Sequence, residues 1–349
     1  MGFIYRRLIR RILFNFNPET VHDAVIKGAR AAQSLEMLNS LVALLAKARN
    51  FPVTAAGLKF RNPVGLAAGF DKNCEAARIL AGLGFGFLEL GTVTLRPQPG
   101  NPKPRVFRLH DDKAIINRMG FNNVGAWEAA RSLERLLPLG IPVGISLGKN
   151  ADCSMEQAPQ NYLETLKVMY PSGDYFAVNI SSPNTLQLRT LHGSEKLRRL
   201  VEPMLSYAAG QKKIKPFFVK VAPDLEDAGI ESVVALAVEL GFGLISTNTT
   251  VKRDAVPEYW RSCDGGLSGL PLKAQSNAVL ARVVSLAKGR IPIIGSGGIF
   301  DGPGALEKLK LGADLVQIYS GLIYEGPFLV KEILKYLERS HWRSPNPVT

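Results

Sequence analysis

The chain has 349 residues, 46% of them hydrophobic, and its 43 Lys and Arg against 30 Asp and Glu leave a net charge of +13. This is ordinary globular composition with enough apolar content for a sizeable core, and the charge calls for an anionic substrate, an anionic membrane surface or nucleic acid. Three cysteines, Cys74, Cys153 and Cys263, are too few and too scattered for a disulfide framework or a zinc site, and they point to a reducing compartment.

The N-terminal stretch MGFIYRRLIRRILFNFNPETVHDAVIKGARAAQ predicts two helices broken near Asn17-Pro18, because proline is well placed at a helix start. On the first of them Arg6, Arg7, Arg10 and Arg11 share one side, and Ile4, Leu8, Ile9, Ile12 and Leu13 the other. Two placements give that pattern: a helix lying on an anionic membrane, or one packed on its own barrel with its arginines in solvent. The arginines interrupt any signal-peptide core, and nothing approaches the ~20 apolar residues of a spanning helix. Residues 1–50 are expected to form an amphipathic helical segment, ahead of a barrel domain over 51–340.

From about residue 62 onward, short apolar runs alternate with amphipathic stretches. The runs are NPVGLAA (62–68), FGFLELGTVT (85–94), IPVGISLG (141–148), YFAVNIS (175–181), PFFVKVAP (216–223), GLISTNTT (243–250), IPIIGSGGI (291–299) and LVQIYSG (315–321). They are continuous, as suits parallel strands buried on both faces. Eight such strands with helices between them predict a (β/α)8 TIM barrel; a doubly wound open sheet is the alternative.

Polar residues gather at one end of every run: Asp71 and Lys72, Thr92 and Thr94, Lys149 and Asn150, Asn179 to Asn184, Lys220, Thr247 to Thr250, Gly295 to Gly298, then Tyr319 and Ser320. In a barrel this end carries the active site. The glycines of IGSGGI and YSG, after the last two strands, suit a phosphate on exposed backbone N–H groups. GLGFGF (82–87) fails the dinucleotide spacing and precedes a strand, and no P-loop exists, so a mononucleotide such as a flavin is favoured. Lys220 lies among Phe217, Phe218, Val219, Val221 and Ala222, and a lysine so placed calls for a partner, a phosphate or a reducing flavin ring. The asparagines of NRMGFNN, KN, NISSPN and TNTT offer donors and acceptors to a small planar ligand carrying amides and a carboxylate. His22, His110, His192 and His341 have no ligand spacing, so no metal is expected, and Ser182 has no nucleophile elbow.

In order, GLAAGFDKN, NRMGFNN, SLGKN, NISSPNT, VKVAPDL, STNTT, GGLSG, IIGSGGI and QIYSGLIYEGP resemble the dihydroorotate dehydrogenases, over about residues 5 to 335. The helical segment with NPETVH resembles their membrane-associated, quinone-dependent class. The resemblance implies an FMN-containing barrel that oxidises (S)-dihydroorotate to orotate, the redox step of pyrimidine synthesis. It implies Ser182 as the catalytic base, where the cytosolic class carries cysteine. It implies that Lys72, Asn117, Asn184, Asn248 and Thr249 hold orotate, with Asn179 touching substrate and flavin. The loop Asn117, Arg118, Met119, Gly120, Phe121 would flank the substrate. FMN would be held by Ala68, Thr92, Asn179, Lys220, Thr247, Gly269, Gly297, Gly298, Tyr319 and Ser320. His22 and Arg108 would lie near the quinone.

One stretch departs from the class, which usually reads Asn where SLGKN has Ser146; a serine at this flavin contact reaches less far. The resemblance further implies a peripheral membrane protein with no metal and no nucleic acid; the lack of an evident transit sequence suggests the cytoplasmic face of a bacterial inner membrane, with an organellar origin as the alternative. A flavin barrel acting on RNA and a basic scaffold are rival readings; the first lacks the expected catalytic cysteine and RNA-binding domain, and the second leaves the strand-end cluster unexplained.

Overall fold

The structure is a computed structural model that describes residues 2–185 and 188–347. Eight parallel strands close into a barrel: β1 (Val64–Leu66), β2 (Phe87–Val93), β3 (Val143–Leu147), β4 (Tyr175–Asn179), β5 (Phe217–Val221), β6 (Gly243–Ser246), β7 (Ile293–Ser296) and β8 (Leu315–Ile318). They follow one another in chain order around the ring, and β8 pairs back onto β1 through Gln317 opposite Gly65. All eight apolar runs are strands, each shorter than its run by two to five residues. The open-sheet alternative is ruled out by closure.

Glycine and aromatic residues fit together inside the barrel. A Cβ at Gly65 would collide with the ring of Phe87, one at Gly144 with Tyr175, and one at Gly243 with Phe218. Each bare backbone thus admits a large ring from the adjacent strand, and the rings of Phe87, Tyr175 and Phe218 meet at 6.3 and 5.4 Å. Burying rings of this size contributes roughly 2–3 kcal/mol each. The antiparallel hairpin Val53–Ala55 and Leu58–Phe60 plugs this end, with Phe60 edge-on to Phe87 at 5.3 Å.

At the opposite mouth the loop after β2 forms an antiparallel pair, Val106–Leu109 with Ala114–Asn117, to which Gly266–Gly269 adds a third strand. Neither small sheet was legible as strands in the sequence. This lid touches the N-terminal segment, a helical run over residues 2–13 with a π-helical turn at Tyr5–Ile9, then helices Pro18–Ala32 and Glu36–Ala46. The break at Asn17-Pro18 is where it was expected. The Asn17 side chain accepts from Glu19 N (3.0 Å) and Thr20 N (3.2 Å), with Pro18 at the first helical position.

The first run sits on the barrel with its polarity inverted relative to an ordinary surface helix. Arg6 reaches Glu332 at 3.0 Å, and Arg10 donates to Tyr324 O at 2.9 Å. Ile4, Leu8 and Ile12 are 55%, 59% and 54% exposed. The segment packs on the barrel with its arginines divided: Arg6 and Arg10 turn to it, Arg7 and Arg11 stay exposed, while Ile9 and Leu13 line the cavity described below. No helix among the described residues is long and apolar enough to cross a membrane.

Candidate active site

A cavity of about 550 Å³ opens at the C-terminal ends of the strands and continues to the N-terminal helices. Its polar wall begins after β1. Gly69, at φ +101°, takes a turn that an L side chain resists, and Asp71 accepts from Glu75 N (3.0 Å) and Ala76 N (2.8 Å). That pinned loop, with Ala68 beside it, presents Lys72 to the cavity. Burial pushes the Lys72 ammonium down to about 8; Asp23 and Glu19 oppose the shift and Arg105 adds to it.

The mouth of β4 carries a continuous network. Asn179 Nδ2 donates to Thr92 Oγ1 (3.0 Å), while Asn179 Oδ1 accepts from Ser181 Oγ (3.2 Å) and Asn248 Nδ2 (3.3 Å). Asn248 also donates to Ser181 Oγ (2.8 Å), and its own Oδ1 accepts from Thr249 N (2.9 Å). Ser182 is buried, and its Oγ accepts from Asn184 N (3.2 Å). Asn184 Nδ2 in turn donates to Asn117 Oδ1 (3.3 Å), tying the Ser182 loop to the lid. Behind them Arg189 clamps the loop through Ser181 O (3.0 Å), Thr249 O (2.9 Å) and Asp224 (2.7 Å). Met119, Gly120 and Phe121 complete this wall.

Lys220 projects from β5 onto the cavity floor, 3.6 Å from Glu89 Oε1 on β2. Glu89 is fully buried and also accepts from Gln317 Nε2 (2.7 Å) and Tyr175 OH (3.3 Å). Thr247, Gly269, Gly297, Gly298, Tyr319 and Ser320 form the far wall. Gly297 and Gly298 take φ +103° and +71°, so the stretch after β7 brings bare backbone to the cavity.

At the helical end, His22 packs edge-on to Phe70 at 5.4 Å, and burial pushes its imidazole down to about 3, so it is neutral at working pH. Arg108 lies over the Phe14 ring at 4.4 Å and donates to Leu13 O (3.3 Å) and Phe16 O, while its buried Nε has no partner. Tyr5, Ile9, Leu13 and Val25 give this end an apolar lining.

Two expected residues do not reach the cavity. Arg118 alternates with Asn117 and Met119, so it points to the other side, donating to Pro104 O and lying over Phe107. Ser146 is fully buried on the strand beside Thr92, its Oγ 2.9 Å from Thr92 Oγ1, and is not among the residues that line the cavity. Ser268, 2.9 Å from Ser320 Oγ, and Gln317 line the cavity although neither was expected there; a polar residue inside LVQIYSG was the available signal. Among the described residues no group of three or more His, Cys, Asp or Glu side chains could hold a metal.

A family profile described as dihydroorotate dehydrogenase matches residues 51–340. A Cellvibrio japonicus protein named dihydroorotate dehydrogenase (quinone) is 46% identical over 330 residues, 92% of this chain and 95% of that protein. One of the same name from Acidithiobacillus ferrooxidans is 45% identical over 344 residues, 95% and 93% of the two chains. A solved DHODH from Eimeria tenella, in complex with ferulenol, superposes with a TM-score of 0.83 at 36% identity, covering 93% of this chain and 91% of that one. By profile, sequence and barrel alike, the chain belongs to the dihydroorotate dehydrogenase family.

Proposed function

We propose that the protein oxidises (S)-dihydroorotate to orotate through bound FMN and delivers the electrons to a membrane quinone. The observation that carries this reading is the continuity of one cavity from the asparagine and serine cluster at the barrel mouth to the apolar helices. The residues present fit a flavin: a floor with a lysine, a glycine wall free of side chains, and a volume in the range of cofactor sites. When bound, FMN supplies two-electron acceptance from a carbon–hydrogen bond and onward release to a quinone.

The chain's own groups divide the remaining work. Lys72 offers a cation to the substrate carboxylate, while Asn117, Asn184, Asn248 and Thr249 offer amide and hydroxyl partners to its ring. Ser182 Oγ takes the ring proton as the neighbouring carbon yields its hydride, while the hydroxyl's own proton passes on to water, so two hydrogens leave the ring and a double bond forms. A serine is a weak base, and the Asn184 N–H directed at Ser182 Oγ stabilises the alkoxide character that develops as that hydroxyl proton departs. Lys220, set against Glu89, places positive charge on the floor where a reduced flavin ring would become anionic. Arg108 Nε, buried and unpaired, has a donor free for a quinone carbonyl, and His22 stays neutral in the same cavity.

Residues 1–50 serve as the membrane and quinone-access segment of a barrel over 51–340, supported by the outward apolar side chains of that segment. The protein is peripheral, on the cytoplasmic face of a bacterial inner membrane; the bacterial origin of its relatives favours this setting. The test is Ser182→Ala in anaerobic rapid mixing. Flavin reduction by dihydroorotate should slow by about three orders of magnitude, within the range attributed to a positioned acid or base, with FMN still bound. Reduction at near the parent rate would remove Ser182 from the base role.

A further inference from the structure

Behind the glycine stretch after β7 lies a buried cation that the proposed chemistry does not use. Lys308, in the helix Gly302–Lys310, is 1% exposed. Its Nζ donates to Ser276 Oγ at 2.9 Å and to Asn277 Oδ1 at 2.7 Å, both neutral, and burial pushes its ammonium down to about 7. The adjacent Glu307 carboxylate turns instead to Lys273 (2.8 Å) and to Asn277 Nδ2 (2.8 Å). A buried lysine without a directly paired carboxylate is unfavourable unless an anion approaches it.

Ser276 supplies the connection to the cavity. Its Oγ lies 3.1 Å from Gly297 O and 3.0 Å from Lys273 O, so its one hydrogen has both carbonyls in donating reach, and the connection to the cavity forms when it serves Gly297. In a trans peptide the carbonyl and the following N–H point opposite ways, so a Gly297 carbonyl held from behind turns the Gly298 N–H away from Ser276. Both glycines line the cavity. The order of groups is ammonium, hydroxyl, carbonyl, amide N–H, and each bond polarises the next in the same sense.

We propose that Lys308 is a positioning residue for a phosphate monoester at the loop after β7, its charge relayed through Ser276 and the Gly297 carbonyl to the Gly298 N–H. The inference rests on the flavin reading and names which end of the flavin this wall takes.

The test uses the full-length chain, with its flavin released on dilution and titrated back as FMN or as riboflavin, followed by flavin fluorescence. Lys308→Met preserves the length of the side chain without its charge. It should weaken FMN about tenfold, as loss of one charge-assisted contact would, and leave riboflavin within about twofold. Equal losses for both flavins would reduce Lys308 to a packing role, and no change in either would overturn the proposal. If Lys308→Met does not fold, Ser276→Ala breaks the relay in the same space and should weaken FMN about threefold, riboflavin again unaffected. Equal effects on both flavins there would likewise overturn it. A parent chain that takes up neither flavin overturns the flavin reading itself, and this inference with it.

Discussion

Lys72 changes charge within the working pH range. Its ammonium, lowered to about 8 by burial, is a cation below that pH and neutral above it. A substrate carboxylate held there should therefore bind more weakly as pH rises, by up to about tenfold per unit once well past 8. The concentration of dihydroorotate giving half-maximal flavin reduction, measured from pH 6.5 to 9.5, should climb above 8 and flatten in Lys72→Met. A flat profile in the parent would remove Lys72 from carboxylate binding. At this scale the sequence was readable where strand ends placed residues, and unreadable where direction or depth decided. Arg118 misses the cavity because alternation turns it outward, and Ser146 because its hydroxyl is buried against Thr92 on the neighbouring strand.

Among elements, the lid and the helical segment meet at a buried ion pair. Glu19, in the first turn of helix Pro18–Ala32, takes Arg105 Nη2 at 2.7 Å, and Arg105 Nη1 holds Pro99 O (2.6 Å) and Asn101 O (2.7 Å). Asn101 then donates to Arg118 O (2.9 Å) and Asn184 O (3.2 Å), so the chain of contacts ends at the Ser182 loop. Glu19→Gln leaves a buried guanidinium without its carboxylate and should cost about 3 kcal/mol of stability, read as a lowered midpoint in denaturant. A cost under about 1 kcal/mol would mean that water replaces the carboxylate. The eight barrel strands were legible because burial on both faces writes unbroken apolar runs. The lid strands were not, because four-residue strands flanked by proline and glycine read as loop, and pairing with Gly266–Gly269 joins segments about 150 residues apart.

Over the whole molecule, the net charge and the exposed apolar residues fall into place together. Phe3, Leu8, Leu41 and Leu44 stand 61%, 59%, 47% and 66% exposed on the N-terminal segment. A lone exposed leucine means nothing, whereas several on one segment are what the proposed membrane contact calls for. Leu8→Glu with Leu44→Glu should leave thermal stability nearly unchanged and lower sedimentation with anionic vesicles about tenfold. Unchanged vesicle binding would place the membrane contact elsewhere. The sequence carried the amphipathic pattern but left its orientation open, because only tertiary partners such as Glu332 decide which side turns inward. The measurement that bears most directly on the whole account is the visible spectrum of the purified protein under anaerobic conditions, before and after dihydroorotate is added. The account predicts a flavin band that bleaches on addition and returns with a quinone; a band that dihydroorotate leaves unchanged would contradict it.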